Sequence, residues 1–124
     1  MKRDFDLIRQ ILREVEASPA RTPLAGRPRY EGFDEDTAVE HIDLLIEAGL
    51  LQGKITPFLD GGVHVNIQRL TWKGHDFLDA MKDDSIWAQA KESILKPVGG
   101  VAFDVLLDWL KWKMAEKLGL PGSG

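Results

Sequence analysis

Residues 49–78 read GLLQGKITPFLDGGVHVNIQRLTWKGHDFL, and the order of signals along that stretch decides the fold. Leu50 to Thr56 can pair with Val63 to Leu70 across the connection Pro57 to Gly62, because Asp60-Gly61-Gly62 supplies residues that tolerate positive φ. Val63, Val65 and Ile67 alternate with His64, Asn66 and Gln68, which is the period of a strand with one packed face. The stretch therefore reads as a β-hairpin. It opens on Gly49, a helix stop, and closes on Thr71, whose hydroxyl can cap a helix containing Trp72, Phe77, Leu78 and Met81.

Upstream of the hairpin, Asp34 begins a helix that runs through Ala48, with Ala38, Ile42, Leu45 and Ile46 on one face and acids in the first turn, where the helix dipole favours them. Before it, Ser18 to Gly32 gathers Pro19, Pro23, Pro28, Gly26 and Gly32 among Arg21, Arg27 and Arg29. Prolines at that density remove the amide donors of a regular element, so this reads as a long basic loop with one short extended piece around Arg29 to Phe33. From Asp4 to Glu16 the apolar residues Phe5, Ile8, Leu12 and Val15, widened by Leu7 and Ile11, form the stripe of a first helix that Asp4 can cap.

Downstream, Lys82-Asp83-Asp84-Ser85 interrupts the third helix before Ile86, Trp87, Ala90 and Leu95 resume the pattern, and Pro97 with Gly99-Gly100 ends it. A last helix spans about Val101 to Leu118, and Gly119 to Gly124 reads as a flexible tail. The expected fold class is mainly α with a β-hairpin: a winged-helix-like domain over 1–96, plus a C-terminal amphipathic helix over 97–118 packing on it.

A chain of 124 residues, 44% hydrophobic and 29% charged, has room for one domain with a real core. The absence of cysteine excludes disulfides, thiolate chemistry and sulfur-ligated zinc, and fits a reducing interior such as the cytoplasm. No apolar run has the length of a signal peptide or a membrane span, so the expectation is a protein neither exported nor membrane-embedded.

The order helix, loop, helix ending in Ala-Gly-Leu-Leu, hairpin, then Leu70-Thr71-Trp72-Lys73-Gly74-His75 at the start of another helix resembles winged-helix domains, in which the hairpin is the wing. More narrowly, Met1 to Asp4 with Asp6-Leu7-Ile8, His41-Ile42 with Leu44 to Leu50, Leu70 to Asp79 and Asp84-Ser85-Ile86-Trp87 resemble a family of short bacterial and phage proteins catalogued as domain of unknown function 2513. That resemblance implies a winged-helix-like fold and a bacterial or prophage origin. It supplies no activity, cofactor or catalytic residue.

In a winged helix of the usual kind the helix before the hairpin enters the major groove. Here that helix carries Asp34, Glu35, Asp36, Glu40, Asp43 and Glu47 and no Lys or Arg, so its approach to phosphates is repulsive. The net charge of −4 points the same way. Candidate nucleic-acid contacts are left to Arg27 and Arg29 of the loop, where Arg21 also lies, and to Lys54, Arg69 and Lys73 around the hairpin. The competing reading of these residues is ordinary solvated surface, some of it pairing with the acidic helix.

No catalytic, cofactor or metal site is expected. His75 and Asp79 stand four apart on a helix, but no third or fourth ligand matches them, and a structural role for His75 near the helix start is favoured. His41 reads as a partly buried spacer and His64 as part of the wing's polar face. There is no GxSxG, P-loop or GxGxxG, and the acids lie on helix exteriors, so the expectation is a protein that is not an enzyme and has no evident small-molecule substrate.

The C-terminal helix is the most informative surface. Phe103, Leu106, Leu107, Leu110 and Met114 share one face, while Val105, Trp109 and Trp112 carry the apolar surface well beyond the ~100° stripe that a single packing interface needs. Val105, Trp109 and Trp112 are therefore candidate dimer-interface residues, giving a homodimer; the alternative is that one core swallows both faces. Two functions follow: a protein-interaction or dimerisation module, or a DNA-binding regulator that touches phosphates through wing and loop.

Overall fold

The computed structural model describes residues 1–98 and 100–120, which hold five helical runs and one three-stranded antiparallel sheet, a mixed α/β architecture. Two compact units make up the chain, one over Arg3–Asp76 and the other from Phe77 onward.

The first unit begins with α1, Phe5–Ala17, whose N-cap Asp4 accepts the Leu7 amide at 3.1 Å. The stripe read from the sequence is its buried face, from Phe5 to Val15. It packs on α2, Glu35–Glu47, and on the sheet. Helix α2 is capped by Asp34, which accepts the Thr37 amide at 2.7 Å; it buries Ala38, His41, Ile42 and Leu45 and stops at Gly49 with φ 79°, a left-handed position that favours glycine.

The hairpin consists of β2, Leu51–Pro57, and β3, Val63–Leu70. Its turn is held by the Phe58 amide donating to the Gly62 carbonyl at 2.7 Å and by Asp60, whose carboxylate accepts the Gly62 amide at 2.9 Å. The ladder pairs Gln52 with Arg69 but Gly53 with Ile67, leaving Gln68 as the extra residue of a β-bulge. The bulge keeps the core face apolar: the buried residues of β3 are Val65, Ile67 and Leu70, and an unbroken alternation would turn Arg69 inward instead of Leu70. Gly53 suits the bulge because a Cβ there would stand 2.6 Å from the Asn66 carbonyl oxygen.

A third strand corrects the reading of 18–32 as loop. Leu24–Gly26 forms β1, paired antiparallel with Ile67, Asn66 and Val65, so the sheet order is β1-β3-β2. The expected extended piece at Arg29 to Phe33 reduces to a single bridge between Tyr30 and Phe33. Ahead of β1, Arg21 adopts φ 61° in a tight turn closed by the Thr22 amide on the Pro19 carbonyl at 3.1 Å, a backbone strain of about 1 kcal/mol for a non-glycine residue.

Helix α3, Trp72–Met81, contributes its first turn to the first unit. That turn is tied down three ways: the Thr71 hydroxyl donates to the Gly49 carbonyl at 2.6 Å and accepts the Gly74 amide at 3.0 Å, and the Thr71 amide donates to the Leu50 carbonyl at 3.1 Å.

In the second unit the break after α3 is shorter than expected. Asp83 caps the next helix by accepting the Ile86 amide at 2.9 Å, so Asp84 and Ser85 belong to its first turn. This run, α4, is α-helical over Asp84–Ala90, passes through a π-helical turn at Lys91–Leu95 and ends in Lys96–Val98, taking Pro97 inside it. Pro97 has no amide to donate, and the wide turn ends at Lys96, whose amide reaches back to the Lys91 carbonyl. The expected Gly99-Gly100 break lies partly outside the described residues. Helix α5, Phe103–Leu118, closes on Gly119 with φ 71°, and the Leu120 amide returns to the Ala115 carbonyl at 2.9 Å. Gly119 is thus an ordered cap; the rest of the expected tail, 121–124, lies outside the described residues. Helix α5 packs on α4, and its Phe103 meets Phe77 edge to face with centroids 4.4 Å apart.

Candidate interaction surfaces

The acids of α2 sit where the sequence puts them, with Asp34, Asp36, Glu40, Asp43 and Glu47 exposed and Glu35 half-buried. The Thr37 amide holds the Asp34 carboxyl below its usual range, the expected effect of an N-cap bond to the ionised form. Arg27 reaches this helix, its Nε 2.9 Å from Glu35 Oε1; the approach is an ion pair whose angle does not make a hydrogen bond.

The candidate nucleic-acid contacts differ in how they are engaged. Arg27 is paired with Glu35. Arg69 donates from Nη1 to the Leu70 carbonyl at 3.2 Å, and Lys73 Nζ lies 3.4 Å from the Ala48 carbonyl at the negative end of α2. Lys54 is exposed on β2. Arg29 lines a separate shallow groove with Tyr30, Glu31 and Glu35.

Of the histidines, His41 departs furthest from expectation. It is 1% exposed, not a half-buried spacer: Nε2 accepts the Asp4 amide at 2.8 Å, and Nδ1 donates to the Thr37 carbonyl at 2.8 Å. Both bonds are satisfied only by the neutral tautomer protonated at Nδ1. His75 Nδ1 lies 3.9 Å from Glu16 Oε2, beyond hydrogen-bond distance, and Asp79 pairs with Lys82 at 3.2 Å. No cluster of three or more His, Asp or Glu able to hold a metal occurs among the described residues. Tyr30 is also buried, and burial, followed by the charge of Glu14 and a hydrogen bond to it, pushes its phenol far above the ordinary value of 10.0.

A cavity of about 760 Å³ in the first unit lies between the end of α1, the turn at 18–23 and the end of β3; Glu16, Arg21, Arg69 and His75 line it. It is an open groove of mixed charge, and sequence reasoning did not foresee it, because it depends on β1 covering only the middle of β3.

On α5 the structure separates two faces. Leu106 and Leu110 are fully buried, and Phe103, Leu107 and Met114 are half-buried. Of the candidate interface residues, Val105 is 54% and Trp112 37% exposed, with Trp109 half-buried beside them. Trp109 and Trp112 meet edge to face at 6.4 Å, and Lys113 Nζ lies over both rings, 5.7 and 4.9 Å from their centroids. That cation was not singled out in the sequence, although its place one residue after Trp112 and four after Trp109 carries the signal. On the same unit Asp83 accepts from Lys117 as well as capping α4, and these bonds hold its carboxyl below the usual range, the lysine contributing most. Elsewhere, Trp72 is 83% exposed, and Phe58 and Leu59 stand out at the hairpin tip.

No helix among the described residues is long and apolar enough to cross a membrane. No solved structure matches the chain. A protein of Haemophilus influenzae (strain ATCC 51907 / DSM 11121 / KW20 / Rd), described as "Uncharacterized protein", is 36% identical over 112 residues, covering 90% of each chain. Residues 2–101 match the family described as "Hypothetical protein (DUF2513)", which takes in α1, the sheet, α2, α3 and α4 and stops short of α5. The chain belongs to the DUF2513 family.

Proposed function

We propose that this chain is a non-enzymatic, winged-helix-like interaction module of the bacterial cytoplasm, which self-associates through α5. The winged-helix reading draws support from the order α1-β1-α2-β2-β3 and from a first strand that joins the sheet on the outer side of the hairpin. The observation that carries the function is the division of α5: its inner face is satisfied by Leu106 and Leu110, while Val105 and Trp112 remain in solvent beside Trp109. Exposed tryptophan is costly in water and is the residue type that anchors interfaces.

DNA reading is the weaker alternative. It asks an acidic α2 to approach phosphates, and three of its five basic residues are already held by Glu35 or by backbone carbonyls. Two measurements test the proposal. Light scattering should give a dimer mass that Trp109→Glu reduces to a monomer; a strict monomer at high concentration would sink self-association. A mobility-shift titration against random duplex at low salt should show no binding, and salt-sensitive binding there would favour the regulator instead.

A further inference from the structure

The exposed side of α5 carries two adjacent stripes with the same spacing. Val105, Trp109 and Trp112 stand at i, i+4 and i+7, and Asp104, Asp108 and Lys111 repeat that spacing one residue earlier, about 100° round the helix on its flank. Asp104, Asp108 and Lys111 are all exposed, and none is in an ion pair among the described residues, whereas Lys117 is held by Asp83 and Lys113 by the two indoles and Glu116. The charged stripe is therefore acidic toward the helix start and basic toward its end, with no ion-pair partner among the described residues.

We infer that two copies of α5 pair antiparallel about a two-fold axis near Trp109, with Val105 of each copy against Trp112 of the other and Lys111 of each seated between Asp104 and Asp108 of the other. This rests on the self-association proposed above and names its geometry. A two-fold axis perpendicular to two antiparallel helices brings the same flank of each helix to the same side of the seam, so the charged stripes face one another. Setting Val105 opposite the second copy's Trp112 then brings the second copy's Lys111 to the level of Leu106, midway between the two aspartates. In a parallel pair the two-fold axis runs along the helices and puts the charged stripes on opposite sides of the seam, where Asp104, Asp108 and Lys111 gain nothing. Charge complementarity thus selects both the occupant, a second copy of this chain, and its direction. A single pair of helices is at the small end of stable interfaces, so the dimer is expected to be concentration-dependent.

Because the chain has no cysteine, introduced thiols report the geometry directly. The double variant Val105→Cys/Trp112→Cys should oxidise to a covalent dimer. Val105→Cys alone should not, because the antiparallel pair separates the two introduced thiols by about 10 Å along the axis, beyond the roughly 7 Å between Cα atoms that a disulfide spans. Charge exchange, which leaves Trp112 in place, is the second arm. Asp104→Lys/Asp108→Lys and Lys111→Glu should each weaken self-association by roughly tenfold, and mixing the two variants should restore it as a heterodimer. Ready cross-linking of Val105→Cys alone, or charge variants that associate like wild type, would overturn the antiparallel pairing while leaving self-association standing. A wild-type chain that stays monomeric at millimolar concentration, with no cross-link in the double variant, would overturn both.

Discussion

His41 and Asp4 are joined across 37 residues of sequence: the imidazole Nε2 accepts the Asp4 backbone amide at 2.8 Å, while Nδ1 donates to Thr37 one turn back on the same helix. Asp4 in turn caps α1 through its carboxylate. One buried ring thus fastens the first turn of α1 to the middle of α2. Removing it in His41→Ala leaves a buried amide and carbonyl short of partners and opens a cavity. The expected loss is about 3 kcal/mol, which thermal unfolding should register as a fall in Tm of roughly 10 °C.

Tyr30 gives an alkaline signature. Its phenol is held neutral far above its ordinary value by burial and by Glu14, so the folded chain keeps a proton that the unfolded chain releases. The stability Tyr30 contributes is complete below the ordinary phenol range and is lost as pH rises above about 10. As the chain has one tyrosine, phenolate absorbance should stay low in the native protein and rise together with loss of helical circular dichroism. Tyr30→Phe should cost about 1 kcal/mol at neutral pH through the lost bond to Glu14 and flatten the alkaline limb.

Acid acts through the caps. Asp83, held down first by Lys117 and then by the Ile86 amide, and Asp34, held down by the Thr37 amide, both stabilise the fold above the ordinary carboxylate range, and the contribution disappears as pH falls through their depressed values. Asp83→Asn keeps an acceptor for the Ile86 amide and loses the lysine; Asp83→Ala loses both. Urea midpoints at neutral pH should fall in the order wild type, Asp83→Asn, Asp83→Ala, and the gap between the first two should close below pH about 4.

Gly74 explains a glycine inside a helix. A Cβ there would lie 2.1 Å from the Leu50 carbonyl oxygen, a backbone atom that cannot rotate away. Gly74→Ala should therefore cost about 3 kcal/mol, whereas Gly100→Ala, with nothing within 4 Å, should leave the urea midpoint near the wild-type value.

What the sequence disclosed follows the range of the interactions. The caps at Asp4 and Asp34 and the stop at Gly49 are readable because donor and acceptor sit within a few residues of each other. The bulge is not among them: it appears only in the ladder, where Gln52 faces Arg69 but Gly53 faces Ile67. Nor is strand β1, because three residues in a proline-rich tract become a strand only when the edge of β3 accepts them. His41 was misjudged for the same reason: its decisive partner lies on another helix. On α5 the wheel parted buried Leu106 and Leu110 from exposed Val105 and Trp112 but not half-buried Trp109 from Phe103, Leu107 and Met114, and the cation over the indoles emerged only with side-chain geometry.

The pairing of β1 with β3 also sets an order of events in time. The hairpin closes through neighbours, but β1 must bring Leu24 to Ile67 across α2 and gains only three residue pairs when it arrives. Contacts of such sequence separation form late, and a short edge strand opens before the strands it covers. Amide exchange should accordingly release the β1 edge while the β2–β3 ladder is still protected, exposing the middle of β3 without unfolding the hairpin.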